Sequence, residues 1–129
     1  MSRNWLPFKR RELPVVKVRI GAENYLALVD TGASVCGISP NLALELGLPQ
    51  EGKHPIISVH GQSIYRPRVT IPSVGFAELD LPKSRAFISN VSAIYPGLSL
   101  ILGINAFPQH RVLFDFPEAR VYVFTKRDT

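Results

Sequence analysis

The stretch Tyr-Leu-Ala-Leu-Val-Asp-Thr-Gly-Ala-Ser, residues 25–34, ends an apolar run with one carboxylate, Asp30, and follows it with two hydroxyls, Thr31 and Ser34, separated by Gly32 and Ala33. Read as a strand of period two, Leu26, Leu28 and Asp30 share one face and Tyr25, Ala27 and Val29 the other. Neither face looks solvated, so Asp30 is expected to be buried or nearly so. An ionised carboxylate in such surroundings is costly unless it is neutralised, paired or supplied with donors. Thr31 and Ser34 are candidate donors, and Gly32 lets the backbone turn tightly and bring amides close. The triplet by itself fits a capped turn equally well.

A second segment bears on the choice. Residues 100–116, Leu-Ile-Leu-Gly-Ile-Asn-Ala-Phe-Pro-Gln-His-Arg-Val-Leu-Phe-Asp-Phe, read as an apolar strand broken by Gly103, a short helical turn limited by Pro108, and another strand. Around the two segments, eleven prolines and nine glycines punctuate short β-branched and aromatic runs, the texture of an all-β domain. Strands are predicted over 15–20, 25–30, 35–38, 56–60, 63–71, 76–81, 85–91, 98–102, 111–116 and 120–125, with turns at Gly-Ala-Glu-Asn, His-Gly-Gln and Phe-Pro-Glu-Ala. The segment Ser-Pro-Asn-Leu-Ala-Leu-Glu-Leu-Gly breaks the pattern. Ser39 is placed as N-cap, Pro40 at the first helical position, Leu42 and Leu46 one turn apart, and Gly47 as the stop, which predicts a two-turn helix.

Composition narrows the class. With 129 residues and 46% hydrophobic content, the chain suits one domain with a real core. Lys and Arg outnumber Asp and Glu by 15 to 10, but the cations are scattered, with Lys9, Arg10 and Arg11 the densest cluster, so a solvated basic surface rather than a nucleic-acid stripe is expected. Cys36 is the single cysteine and permits no intramolecular disulfide. His54, His60 and His110 lack metal-ligand spacing, so neither a metal nor another cofactor is expected. The first residues lack the apolar core of a signal peptide, and no stretch approaches the roughly 18 apolar residues of a membrane span. The chain reads as soluble, with the cytoplasm as its default location and no membrane partner.

An Asp-Thr-Gly-Ala-Ser after an apolar strand, a helix ending in Leu-Gly-Leu, a glycine-containing hairpin, and Ile-Leu-Gly with a short helical turn near the end together resemble the retropepsin-like aspartic proteases. Asn105, two places after Gly103, and Gln109, four further on, add to the likeness. The resemblance spans residues 14–126, with 1–13 as an N-terminal extension, flexible or part of a dimer interface, and 127–129 as a tail. It implies a closed, barrel-like acid protease fold with one or two short helices. By the same resemblance Asp30 is the catalytic aspartate, Thr31 grips backbone across the site, Gly32 and Ser34 orient the carboxylate, and Ala33 lines the groove. His60, Gly61 and Gln62 fall near the tip of a flap, and Ile101, Leu102 and Gly103 pack under the aspartate loop.

Metal-free peptide hydrolysis needs a base to activate water and an acid to protonate the developing oxyanion and the leaving nitrogen. Two close carboxylates sharing one proton supply both. This chain has one Asp-Thr-Gly, so the active form is expected to be a two-fold homodimer acting on extended polypeptide segments. Retroviral members commonly carry an acidic residue after the Ala of the first motif and an Arg after the glycine of the second. Here Ser34 and Ile104 stand there, so both charges of that pair are missing together, and dimer contacts must come from elsewhere, Ile104 included. The competing reading is a dimer of the same fold that binds a polypeptide without cleaving it.

Overall fold

In a computed structural model, which describes residues 3–57, 61 and 63–126, the strand that carries the acidic motif and the strand that carries Gly103 lie side by side. These are β3 (Glu23–Val29) and β10 (Leu98–Leu102). They pair in parallel, with Leu102 opposite Val29, so Asp30 and Gly103 leave the sheet at the same end. Ahead of them come β1 (Trp5–Pro7) and β2 (Val15–Ile20). Strand β2 alternates as its sequence demands: Val16, Val18 and Ile20 are buried, and Lys17 and Arg19 face solvent. Gly21, at φ +61°, makes the turn into β3.

Beyond the motif come β4 (Cys36–Ile38), β5 (Lys53–Ile57), β6 (Ser63–Ile71), β7 (Gly75–Phe76), β8 (Leu79–Asp80) and β9 (Ser84–Ile88). After β10 the chain closes with β11 (His110–Asp115) and β12 (Arg120–Thr125). Nine strands form one sheet in the order β5-β6-β9-β4-β10-β3-β2-β7-β8, and β1-β12-β11 form a second. Closure of the longer sheet into a barrel, expected from the resemblance, is not among the pairings of the described residues, where β5 and β8 end the order. No helix among those residues is long and apolar enough to cross a membrane.

The one α-helix among the described residues, α1 (Pro40–Glu45), forms where its caps predict. The Ser39 hydroxyl accepts from the Leu42 amide at 3.1 Å, Leu42 and Ala43 are buried, and Gly47 ends the turn at φ +63°. The segment after Gly103 gives only a 3-10 turn, Ile104–Ala106, because Pro108 cannot continue it. A second 3-10 turn, Val91–Ala93, occupies the end of the run predicted as a strand over 85–91, and β9 stops at Ile88. The predicted strand 76–81 is likewise a tight hairpin, β7 and β8, since Ala77 takes φ +52° and reverses the chain.

Residues ahead of position 14 carry structure that the sequence patterns do not reveal. Trp5 pairs with Tyr122 across β1 and β12, and its ring is sandwiched by the guanidinium groups of Arg3 and Arg120, 4.0 and 3.9 Å from its centroid. The core between the layers includes Val16, Val18, Ile38, Phe76, Leu100 and Leu102, none more than 1% exposed. Leu100 sits at its centre, between Ala27 of β3 and Ile38 of β4. Leu100→Ala should therefore lower stability by about 3 kcal/mol through lost burial and the cavity left behind. Urea unfolding checks this, and a loss below about 1 kcal/mol would mean that the surroundings collapse onto the gap.

Candidate active site

The loop from Asp30 to Val35 is built from backbone bonds between the two parallel strands. The Asp30 amide donates to the Leu102 carbonyl at 3.0 Å, and the Ala33 amide donates back to the Asp30 carbonyl at 3.1 Å. The Ile104 amide then donates to the Ala33 carbonyl at 2.8 Å, which ties the acidic loop to the turn after Gly103. A Cβ at Gly103 would lie 2.7 Å from the Ala33 oxygen and 2.9 Å from the Val35 carbonyl. No side chain fits there, so the Ile-Leu-Gly segment needs its glycine for close backbone approach. Ile101 and Leu102 stand opposite Leu28 and Val29, directly beneath the loop.

The carboxylate is held by a donor, though not by either hydroxyl singled out in the sequence. The Gly32 amide donates to Asp30 Oδ1 at 3.0 Å, so the two residues form a short Asx turn. Thr31 and Ser34 are exposed and Ala33 is half-buried. Asp30 itself is half-buried rather than buried, because β3 ends at Val29 and the carboxylate leaves the sheet where the strand pairing stops. Of the β3 residues on its face, Leu28 is buried and Leu26 half-buried.

In front of the carboxylate is a groove of about 450 Å³ lined by Leu13, Pro14, Leu28, Val29, Ile94, Phe114 and Phe116 together with Asp30 and Thr31. Its walls come from distant segments. Pro14 is placed by the Val29 amide, which donates to its carbonyl at 3.1 Å, and Phe114 stacks on Phe116 with centroids 6.1 Å apart. Leu13, Ile94 and Phe116 are 46%, 51% and 61% exposed, and Ile104, on the Gly103 side of the loop, is 52% exposed. The carboxylate is thus flanked by apolar surface left open to water, and such a patch marks a binding surface.

Asn105 is a site residue to which its sequence position gives no role. Its Oδ1 accepts from the Cys36 amide at 2.9 Å and from the Cys36 thiol at 3.1 Å, and its Nδ2 donates to the Arg85 carbonyl at 2.8 Å. One side chain thereby pins the exit of the acidic loop to β9 and to the turn after Gly103. Its spacing from that glycine is visible in the sequence, but its partners, two backbone groups and the Cys36 thiol, are ones that only the fold brings near. Cys36 lies inward, 1% exposed. Burial pushes its thiol up, and the Ser84 hydroxyl opposes this only in part, which suits a packing role rather than a nucleophilic one.

The hairpin proposed as a flap has its two strands in place: β5 and β6 are antiparallel, and Ile57 stands opposite Ser63. Gly61 is exposed at φ +77°, a conformation that favours glycine. His60 and Gln62 lie outside the described residues.

Residues 16–106, which contain both the Asp30 loop and the Gly103 turn, match the sequence model of the aspartyl protease family. The chain belongs to that family. Its fold is retropepsin-like. A retropepsin-like aspartic protease from Rickettsia conorii superposes with a TM-score of 0.63 at 15% identity, covering 93% of this chain and 89% of that one. The retroviral protease-like domain of Ddi1 from Leishmania major gives 0.54 at 16%, covering 91% and 98%. The simian foamy virus protease gives 0.51 at 17%, covering 73% and 91%. Comparison with curated protein sequences returns no match.

In this aspartyl protease family member, Asn105→Ala should cost about 1–3 kcal/mol, because the Cys36 amide loses its acceptor in a buried setting. Asn105→Asp keeps the acceptor but sets a carboxylate oxygen against the Arg85 carbonyl, and should cost at least as much. The two are compared by urea unfolding, and an unchanged midpoint for Asn105→Ala would mean that another group satisfies that amide.

Proposed function

We propose that this chain is a homodimeric aspartic endopeptidase in which the Asp30 carboxylates of two copies meet on the two-fold axis. The observation that carries the reading is the half-buried Asp30 carboxylate, fixed by the Gly32 amide at the head of an apolar groove and supplied once per chain. A single carboxylate can take a proton from water or give one to a carbonyl, not both in one step. Two at close range share a single proton, because both cannot stay ionised together. The ionised member takes a proton from water as its oxygen attacks the peptide carbon. The protonated member gives its proton to the carbonyl oxygen, and the tetrahedral intermediate collapses as the nitrogen is protonated and leaves.

Each neighbouring residue has a part in this reading. Thr31, exposed in the single chain, reaches across the axis to partner backbone. Ser34 approaches the outer carboxylate oxygen, and Ala33 lines the path of the substrate backbone. The β5–β6 hairpin, with His60, Gly61 and Gln62 at its tip, closes over an extended polypeptide and excludes water. Ile104 takes the place of a charged residue at the dimer base and contributes an apolar contact, in keeping with its exposure here. The groove walls Leu13, Ile94 and Phe116 favour apolar side chains close to the scissile bond.

Asp30→Asn keeps the volume and removes the shared proton. Fold and dimer should survive while cleavage of a peptide library falls to background; near wild-type cleavage by the purified variant would remove Asp30 from the mechanism. Assembly gives an independent test. Specific activity should fall on dilution, and Ile104→Asp should weaken the dimer at least about tenfold, or about 1.4 kcal/mol, by placing a charge in an apolar contact. Sedimentation read alongside activity decides this, and a fully active monomer would defeat the shared site.

A further inference from the structure

On the same face of β3 as Leu28 and Asp30, but about 13 Å back from the carboxylate (four residues at about 3.3 Å each), Leu26 lines a second and larger groove of about 720 Å³. Its walls are apolar, with Phe8 on the N-terminal side and Tyr95 on the other. The Tyr95 hydroxyl donates to Glu12 at 2.8 Å, and this bridge joins the two walls. Leu13 and Ile94 line the Asp30 side of it, Glu12 and Tyr95 the far side. Glu12 is the one acidic residue lining the second groove, and Tyr95 engages it. Lys9 and Lys17 also line it, both exposed. Neither has an acidic partner among the described residues.

An apolar trough whose lining sets two ammonium groups, Lys9 and Lys17, against one carboxylate, Glu12, carries a net positive charge and is complementary to a segment that combines apolar side chains with carboxylates. We propose that this groove is a docking site for such an acidic, apolar polypeptide segment, contributed by the substrate chain outside the stretch held at Asp30. A polypeptide is favoured over a nucleic acid because Phe8 is buried and Tyr95 half-buried, whereas stacking on bases needs freely exposed rings. That the occupant is part of a substrate rests on the protease reading; that the groove takes an acidic, apolar peptide does not. The effect on catalysis is extra affinity away from the scissile bond, which lowers KM and leaves kcat unchanged.

The test uses the full chain and a fluorescein-labelled peptide alternating Glu with Leu and Phe, followed by anisotropy. Binding should be saturable. It should weaken at least about tenfold in the Lys9→Glu/Lys17→Glu variant, less in Lys9→Ala/Lys17→Ala, and not at all in Asp30→Asn, with thermal midpoints confirming that each variant is folded. Replacing the peptide's Leu and Phe by Ser, or its Glu by Lys, should also abolish binding. Attached to a cleavable library peptide, the segment should lower KM for the wild type and not for the charge-reversed variant. Affinity indifferent to Lys9 and Lys17, or to the apolar residues of the peptide, would overturn the site. So would a single-stranded oligonucleotide that binds more tightly and displaces the peptide. Lysine-dependent binding by a preparation that cleaves nothing would overturn the assignment to substrate.

Discussion

The parallel pairing of β3 with β10 and the contact it forces beyond the strand ends determine the rest of the site. Both strands stop at the same level, so the Asp30 amide finds its acceptor in the Leu102 carbonyl and the next residue of β10 must pass against the acidic loop. That passage leaves 2.7 Å between the Ala33 oxygen and the position a Gly103 side chain would occupy. The loop is thereby fixed from below by backbone alone, with no dependence on flexible side chains, and the carboxylate emerges in a set direction. Asn105 extends the same constraint to β4 and β9. A site that must hold a carboxylate to within a fraction of an ångström benefits from rigid support of this kind.

The same geometry explains why the carboxylate is only half-buried. A lone ionised group sealed in apolar surroundings would cost several kcal/mol with nothing to offset it, and one chain offers Asp30 the Gly32 amide and open water. The apolar skirt of Leu13, Ile94, Ile104 and Phe116 is exposed for a related reason. These residues surround a surface that one chain leaves uncovered. In the proposed two-fold assembly Ile104 would lose that exposure to the partner, Leu13, Ile94 and Phe116 would stay open to an extended polypeptide, and the sharing of one proton would replace water as the means of stabilising the charge.

The N-terminal segment gains its importance from where it packs. Residues 5–7 add a strand to β12, the Phe8 amide donates to the Ala119 carbonyl, and Glu12 holds Tyr95, so the segment becomes a wall between two grooves on one face of β3. Nothing in its composition announces this. Lys9, Arg10 and Arg11 read as a solvated basic run, and the strand is three residues long, too short for an alternating pattern to stand out.

Local chemistry made much of the protein legible from its residues. Val15–Ile20, Ser63–Ile71, Leu98–Leu102 and Arg120–Thr125 fall where β-branched and apolar alternation places strands, and Ser39 with Pro40 fixes the start of the helix, because caps and strand periods act over a few residues. Asp-Thr-Gly together with Ile-Leu-Gly was enough to point to the family. The tertiary structure decided what depends on distant segments meeting. It set Ala77 at positive φ so that a predicted strand became a hairpin, opened Asp30 halfway to water, gave its Oδ1 the Gly32 amide, and brought Asn105 onto the backbone of Cys36 and Arg85. Those outcomes turn on backbone groups, which every residue carries alike, and a sequence does not record which of them will be neighbours.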